Sequence, residues 1–283
     1  MSKAPLELRA GDLRLALRPD LGGSMAGLWL AGTAVLRSTQ PADLTAASLS
    51  GCYPLVPYSN RVGRCQFRWL GQDHQTQLNY SDKLHSLHGV AWQRPWSVLS
   101  CADSQAELEL KHAPDADWPF AFTVRQRFVL TAQALQVHLH FTNQHHQAQP
   151  VGLGWHPYFP KRAMSHLDID VSTRWDNDAV GLAAHQVAQP GIHQAVSELT
   201  FDNCFGGWTG TARIRDEQLS MQLTSSTSRL VVFTPPHRPY YCVEPVTHVS
   251  NAIQMADPAA HGLQTVEPGG THEAWMRLEL ARA

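Results

Sequence analysis

Hydrophobic and polar residues alternate with a period of two along much of this chain. Leu135, Val137, Leu139 and Phe141 interleave with Gln136, His138, His140 and Thr142. Successive side chains of an extended backbone point to opposite faces, so the pattern predicts a strand with one dry and one wet face. Leu13, Leu15 and Leu17 repeat it, as do Leu108 and Leu110, then Leu219, Met221 and Leu223, and finally Met276, Leu278 and Leu280. Leu6-Glu7-Leu8 and Leu13-Arg14-Leu15 flank Ala10-Gly11-Asp12, which predicts a hairpin. Leu230-Val231-Val232-Phe233 is a continuous β-branched and aromatic run, suited to a strand buried on both faces. No long segment has helical periodicity. The expected fold is all-β, a large antiparallel β-sandwich.

Nothing in the sequence divides this sandwich. Gly/Pro-rich pieces such as Thr234-Pro235-Pro236-His237-Arg238-Pro239 are short enough to be loops between strands. There is no internal repeat or low-complexity tract. One domain spanning residues 1–283 is the simplest organisation.

Composition narrows the function. The 43% hydrophobic fraction fits a soluble globular protein, and a formal net charge of -2 argues against a nucleic-acid partner. No apolar run reaches the length of a membrane span, and Met1-Ser2-Lys3-Ala4-Pro5-Leu6 lacks the apolar core of a secretory signal. Cys52, Cys65, Cys101, Cys204 and Cys242 are odd in number, scattered and free of CxxC pairs. Reduced thiols in a cytoplasmic protein are expected.

Five stretches carry unusual chemistry. Gly152-Leu153-Gly154-Trp155-His156-Pro157-Tyr158-Phe159-Pro160 sets one imidazole among aromatic rings. Pro157 pushes His156 toward extended geometry, and the glycines permit close approach of backbone or ligand. Such a histidine is either a general acid in a sugar pocket or a core residue of an aromatic cluster. Tyr53-Pro54-Leu55-Val56-Pro57-Tyr58-Ser59-Asn60-Arg61-Val62-Gly63-Arg64 presents an amide and a guanidinium from a rigid loop. These groups suit vicinal hydroxyls, or else form a structural turn with a solvated arginine.

His85-Ser86-Leu87-His88-Gly89 has histidines at i and i+3, but no third ligand at a recognisable spacing and no HExxH. No metal is expected. Thr200-Phe201-Asp202-Asn203-Cys204-Phe205 holds an acid between aromatics, as an Asx-turn or as an acceptor for sugar hydroxyls. In Tyr240-Tyr241-Cys242-Val243-Glu244-Pro245, a carboxylate ends an apolar run. It must be paired with an arginine or lie in a cleft with its pKa raised toward use as a base.

Together these stretches resemble the aldose 1-epimerase (mutarotase) family, through Pro57-Tyr58-Ser59-Asn60-Arg61, His88-Gly89, His156-Pro157-Tyr158-Phe159, Phe201-Asp202-Asn203-Cys204-Phe205 and Cys242-Val243-Glu244-Pro245. They occur in the family's order, with strand-like sequence between them. The resemblance implies a galactose-mutarotase-like supersandwich binding a free aldohexose in an open cleft. It implies Glu244 as base and His156 as acid, with Arg61, His88 and Asp202 contacting the sugar and Asn60 a further candidate. Gly-Trp-His156-Pro-Tyr-Phe-Pro replaces the longer histidine motif of the best-known galactose mutarotases. This looks more like the shorter bacterial members and leaves the preferred aldose open.

Anomer interconversion removes the proton from the C1 hydroxyl, delivers one to the ring oxygen O5, and breaks the C1–O5 bond. The aldehyde rotates and closes on its other face. A carboxylate and an imidazole, with ordinary pKa values of about 4.3 and 6.5, suit these roles. There is no redox step, no GxGxxG and no P-loop, so no cofactor is expected. The assembly expected is a monomer or homodimer. Competing readings are a carbohydrate-binding or sensing protein, with Trp92, Trp155 and Trp208 as stacking surfaces, and a glycoside hydrolase using Glu244 and Asp202. A hexose-phosphate 1-epimerase, with Arg61 and Arg64 serving the phosphate, is a third.

Overall fold

The alternation in the sequence reappears as burial. In the strand Ala134–Asn143, Leu135, Val137, Leu139 and Phe141 are buried, while Gln136, His138, His140 and Thr142 are half-exposed. Leu13, Leu15 and Leu17 are fully buried in Leu13–Arg18. That strand pairs with Leu6–Ala10 in the expected hairpin, closed at Gly11 in a left-handed conformation (φ 58°). These features come from a computed structural model that describes residues 5–283. Met1-Ser2-Lys3-Ala4, part of the segment read as lacking a secretory core, lie outside the described residues.

Strand accounts for about 51% of the chain and helix for 6%, all of it in short 3₁₀ turns. Two large antiparallel sheets dominate. One has nine strands, in spatial order Ser97–Ala102, Gln105–His112, Phe122–Thr131, Ala134–Asn143, Thr271–Arg282, Leu219–Ser225, Thr211–Arg215, His166–Ile169 and Ile192–Ala195. The other runs Ala183–Ala188, Thr173–Asn177, Asp202–Gly206, Arg229–Phe233, Tyr240–Val246, Gly154–Trp155 and Pro54–Leu55, with Tyr158–Pro160 also paired to Tyr240–Val246. A four-stranded N-terminal sheet completes the frame, and one buried cluster takes side chains from all three.

One buried amide in this core is matched at both its ends. Gln126, 1% exposed, donates its amide N–H to Gly23 O at 2.9 Å and accepts the Trp155 indole N–H at 3.2 Å. A buried amide left unpaired would be costly, so these bonds fix the position of Trp155 and, with it, the backbone entering His156. All five cysteines are free thiols. No helix among the described residues is long and apolar enough to cross a membrane.

Candidate active site

Strand register places the acidic residues together. Asp202 pairs with Phe233, and Phe233 with Cys242; Val231 pairs with Glu244 two residues further along. Paired residues share a face and alternate residues return to it. Asp202, Val231, Phe233, Tyr240, Cys242 and Glu244 therefore point to one side of the eight-stranded sheet. All but Cys242 line a cleft of about 370 Å³, a volume suited to a small ligand. The Leu230–Phe233 run splits accordingly: Leu230 and Val232 face the core, and Val231 and Phe233 face the cleft.

His156 enters the same cleft from the Gly152–Pro160 stretch. Its backbone N–H donates to Tyr53 O at 3.0 Å, and Tyr158 is held two residues on by pairing with Cys242. The imidazole Nε2 lies 3.4 Å from Glu244 Oε1, with both side chains buried. Tyr158 Oη is also 3.4 Å from Nε2, but the two rings are within 12° of parallel with centroids 4.4 Å apart. The hydroxyl therefore lies over the imidazole face, and the contact is a stack. The glycines of this stretch make room for protein, not for a ligand. A Cβ at Gly152 would fall 1.9 Å from His248 Cδ2, and one at Gly154 would fall 2.7 Å from Pro245 O.

The opposite wall comes from residues 53–61 and 80–88. Asn60 adopts a left-handed conformation (φ 57°), and its backbone N–H donates to His88 Nδ1 at 3.1 Å. That donor fixes the His88 tautomer and leaves Nε2–H as the remaining donor of a ring that lines the cleft. Asn60 Oδ1 accepts the Arg61 N–H at 2.9 Å, so this amide oxygen shapes the loop. Arg61 lines the cleft with Nε 3.1 Å from Asp82 Oδ2. Gly89 has no alternative: at φ 67°, a Cβ would lie 2.1 Å from Val56 O.

Burial dominates the electrostatics. It pushes Glu244 well above the usual carboxylate range, and the nearby Asp202 charge adds to this. Burial likewise pushes His156 well down, reinforced by His88 and Arg37. His88 is pushed down to about 3 by burial and then by Arg61, so it is neutral. Asp202 is exposed at the cleft mouth; surrounding protein raises its carboxyl and Arg61 opposes the shift. Glu244 and His156 thus form a site of no net charge, with one acidic proton to place. On the carboxyl it leaves two neutral groups; on the imidazole it leaves a carboxylate base beside an imidazolium acid.

Five of the six residues expected at the site, namely Glu244, His156, Arg61, His88 and Asp202, line the cleft with side-chain chemistry available, and Asn60 lines it while bonded internally. Other expectations fail. Trp155 and Trp208 are buried, with their indole N–H groups spent on Gln126 and Thr211 O, and neither lines the cleft. Trp92 is also buried, stacked behind Tyr53 with centroids 5.1 Å apart. Tyr53, Tyr80, Tyr158 and Tyr240 line the cleft instead. Register places Tyr158 and Tyr240 on this face, whereas Tyr53 and Tyr80 lie outside the strands and reach the cleft from irregular segments. Arg64 is exposed and not part of the cleft lining, whereas Arg238 is.

His85 and His88 do not converge as metal ligands. His85 Nδ1 accepts the Arg64 N–H at 2.9 Å, and Nε2 contacts Val180 O at 3.0 Å. One buried trio, His156, Cys242 and Glu244, brings a ligand atom from each within 4.8 Å of the others. Burial drives the Cys242 thiol well up, away from a thiolate. Cys242 does not line the cleft, whereas His156 and Glu244 do. Two surface grooves, of about 640 and 660 Å³, lie elsewhere. The first contains Glu109, tied to Arg125 at 3.0 Å and Lys111 at 3.3 Å, and neither groove presents a buried acid–base pair.

Residues 5–279 match the aldose 1-epimerase family, and the chain belongs to it. The uncharacterized protein YphB of Escherichia coli K12 is 30% identical over 295 residues, covering 96% of this chain and 97% of the relative. Among solved structures, a candidate aldose 1-epimerase from Escherichia coli K12 superposes with a TM-score of 0.88 at 28% identity, covering 99% of both chains. The GalM/aldose epimerase homologue from C. elegans superposes with a TM-score of 0.86 over 100% of both chains; at 15% identity it shares the fold alone. The chain is of the aldose epimerase kind.

Proposed function

We propose that this protein is an aldose 1-epimerase interconverting the α and β anomers of a free aldose, with Glu244 as base and His156 as acid. The observation that carries the reading is the 3.4 Å approach of His156 Nε2 to Glu244 Oε1 at the cleft lining. O1 and O5 of a pyranose are bonded to the same carbon. Two proton-transfer groups this close together can address both oxygens of one anomeric centre.

In the opening step, with the pair's shared proton on the imidazole, Glu244 Oε takes the O1 proton while the imidazolium Nε2–H delivers one to O5, and the C1–O5 bond breaks as C1=O1 forms. Rotation about C1–C2 presents the other aldehyde face. Closure reverses both transfers, with O5 attacking C1, and restores the pair to its starting protonation. Protons and electrons balance without a redox partner, and the protein groups suffice without a cofactor. His88 Nε2–H and Arg61 supply donors to the sugar, and Asp202 an acceptor. A carbohydrate-binding role alone gives no reason to bury an ionisable Glu beside an imidazole, at a cost in stability. A glycosidase would use two carboxylates astride a bond, whereas the group nearest Glu244 is an imidazole.

One observation favours a narrower substrate. Arg238 lines the cleft with an exposed guanidinium that has no side-chain hydrogen bond or ion pair among the described residues, a position suited to a sugar phosphate. Polarimetry or NMR exchange spectroscopy over several free aldoses and one hexose phosphate tests both readings. Accelerated exchange of a free aldose supports the first, and exchange confined to the phosphate favours the second. Acceleration of neither removes both.

A further inference from the structure

Resting on the epimerase reading, the geometry points to Asp82, which lines the cleft beside Arg61 with both carboxylate oxygens committed to protein donors, as the positioning residue of the sugar-binding arginine, acting through Arg61. Asp82 lies in the irregular segment 76–85, between the strands Gln72–Gln75 and Ser86–Leu87. Its two oxygens have separate tasks. Oδ1 accepts the backbone N–H groups of Leu84 at 2.8 Å and His85 at 2.9 Å, closing a turn. Oδ2 accepts Arg61 Nε–H at 3.1 Å. These three donors hold the carboxylate below its usual range against the burial that would raise it.

Arg61 has little else to hold it. Its Nη1 lies 3.4 Å from both Asn60 Oδ1 and Gly181 O, long contacts that cannot fix a flexible side chain alone. The Gly181 carbonyl is itself placed by a neighbour of Asp82, because His85 Nε2 reaches Val180 O at 3.0 Å. Asp82 therefore organises both sides of the guanidinium: directly at Nε, and through His85 at the 178–181 turn. With Nε committed, the fork's remaining donors are turned to the cleft in one orientation, which reduces the rotamer freedom lost when a sugar binds.

Asp82→Asn separates the two tasks. An amide can keep its oxygen on the Leu84 and His85 N–H groups while turning its own NH₂ toward Arg61, donor against donor. Kinetics of anomer exchange and sugar affinity by calorimetry are measured for wild type, Asp82→Asn, Arg61→Ala and the double variant. Loss of a hydrogen bond to a charged group should raise KM and Kd about tenfold in Asp82→Asn, with a smaller change in kcat. The decisive result is the cycle: in the Arg61→Ala background, Asp82→Asn should weaken binding no further. Multiplicative losses in the double variant would mean that Asp82 grips sugar itself and would overturn the inference. So would a fall in kcat and Tm with Kd unmoved, the signature of a merely structural carboxylate. Failure of the epimerase reading is distinguishable: wild type would then show no exchange, while the Kd cycle still reports on Asp82. Absence of both exchange and binding in wild type overturns both.

Discussion

Arg37 stands 3.7 Å over the ring of Tyr158, and Tyr158 stacks on His156 with centroids 4.4 Å apart. The guanidinium is anchored by the carbonyls of Ser48 at 2.7 Å and Ser50 at 2.9 Å. A fixed cation thus sits one aromatic layer from the candidate acid. The ionisable or charged neighbours of His156 are Glu244, Cys242, Cys52, His88, Tyr53, Tyr158 and Arg37. After burial itself, His88 and then Arg37 oppose its protonation.

Arg37→Met should therefore raise the pH at which the pair takes up its second proton. A lowered imidazole pKa places the acid limb of kcat/KM below the ordinary histidine range, and removing a repelling cation moves that limb upward. Rate profiles over about pH 4 to 9 on wild type and variant check this, since kcat/KM reports the free enzyme's groups. An acid limb that stays in place would show that Arg37's charge does not reach the imidazole.

The buried carboxyl also makes a stability prediction. Glu244 has its folded pKa raised above the unfolded value. Below the unfolded pKa both states are protonated and the group is neutral in its effect. Above it the unfolded chain ionises first, so stability falls as pH rises toward the folded pKa. Glu244→Gln removes that penalty. The variant should gain Tm relative to wild type at about pH 8 but not at about pH 4, by about 2–4 °C for each 1 kcal/mol relieved. Scanning calorimetry at the two pH values decides it. An equal shift at both would assign the effect to packing instead of ionisation.

Gly152 tests how the scaffold supports the site. His248 packs against it, accepting the Ser59 N–H at Nε2 (3.0 Å) with Nδ1 2.7 Å from Val249 O. That imidazole thereby ties the strand carrying Glu244 to the loop carrying Asn60 and Arg61. Gly152→Ala drives a methyl to 1.9 Å from the His248 ring, so the histidine must move. Overpacking of this kind should cost about 1–3 kcal/mol of unfolding free energy in urea titrations. Sugar affinity should also weaken, because the Ser59 bond is disturbed. Unchanged stability would mean the ring has room to swing aside.

Much of this was legible in the sequence. Leu135–Phe141 and Leu13–Leu17 announced their strands because one face is core and the other solvent, which leaves a clean period of two. Glu244 and His156 stood out because a carboxylate ending an apolar run and a histidine before proline among aromatics each contradict their surroundings. Tyr158 and Tyr240 sat in the stretches singled out for His156 and Glu244, but for them, as for Tyr53 and Tyr80, an aromatic beside apolar residues reads the same whether it faces core or cleft. The tryptophans offered as stacking surfaces in the competing carbohydrate-binding reading are ambiguous for the same reason: Trp155 is fully buried, with its polar end satisfied by Gln126, 29 residues away. Asp82 was invisible because its meaning lies in a contact with Arg61, 21 residues earlier, made by an irregular segment with no periodicity to read.

The catalytic pair gives the sharpest test. Mutarotation already proceeds in water, so the enzyme need only hold a base at O1 and an acid at O5. Glu244 comes from the strand Tyr240–Val246 and His156 from the link between Gly154–Trp155 and Tyr158–Pro160, and they meet at 3.4 Å beside the cleft. A positioned proton-transfer group contributes about 10²–10⁴ in rate. Glu244→Gln keeps the shape and hydrogen-bonding capacity of the side chain but cannot take a proton at neutral pH. His156→Asn removes the acid with little added bulk. Both variants should fold and bind sugar, by circular dichroism and calorimetry, while kcat falls by about 10²–10⁴ in each. Because the two titrations belong to the pair, the wild-type profile should be bell-shaped and either variant should retain at most one limb. The double variant should be little slower than the worse single one, since neither transfer is useful without the other. A folded, sugar-binding Glu244→Gln protein exchanging anomers at nearly the wild-type rate would remove Glu244 from the chemistry and the proposed mechanism with it.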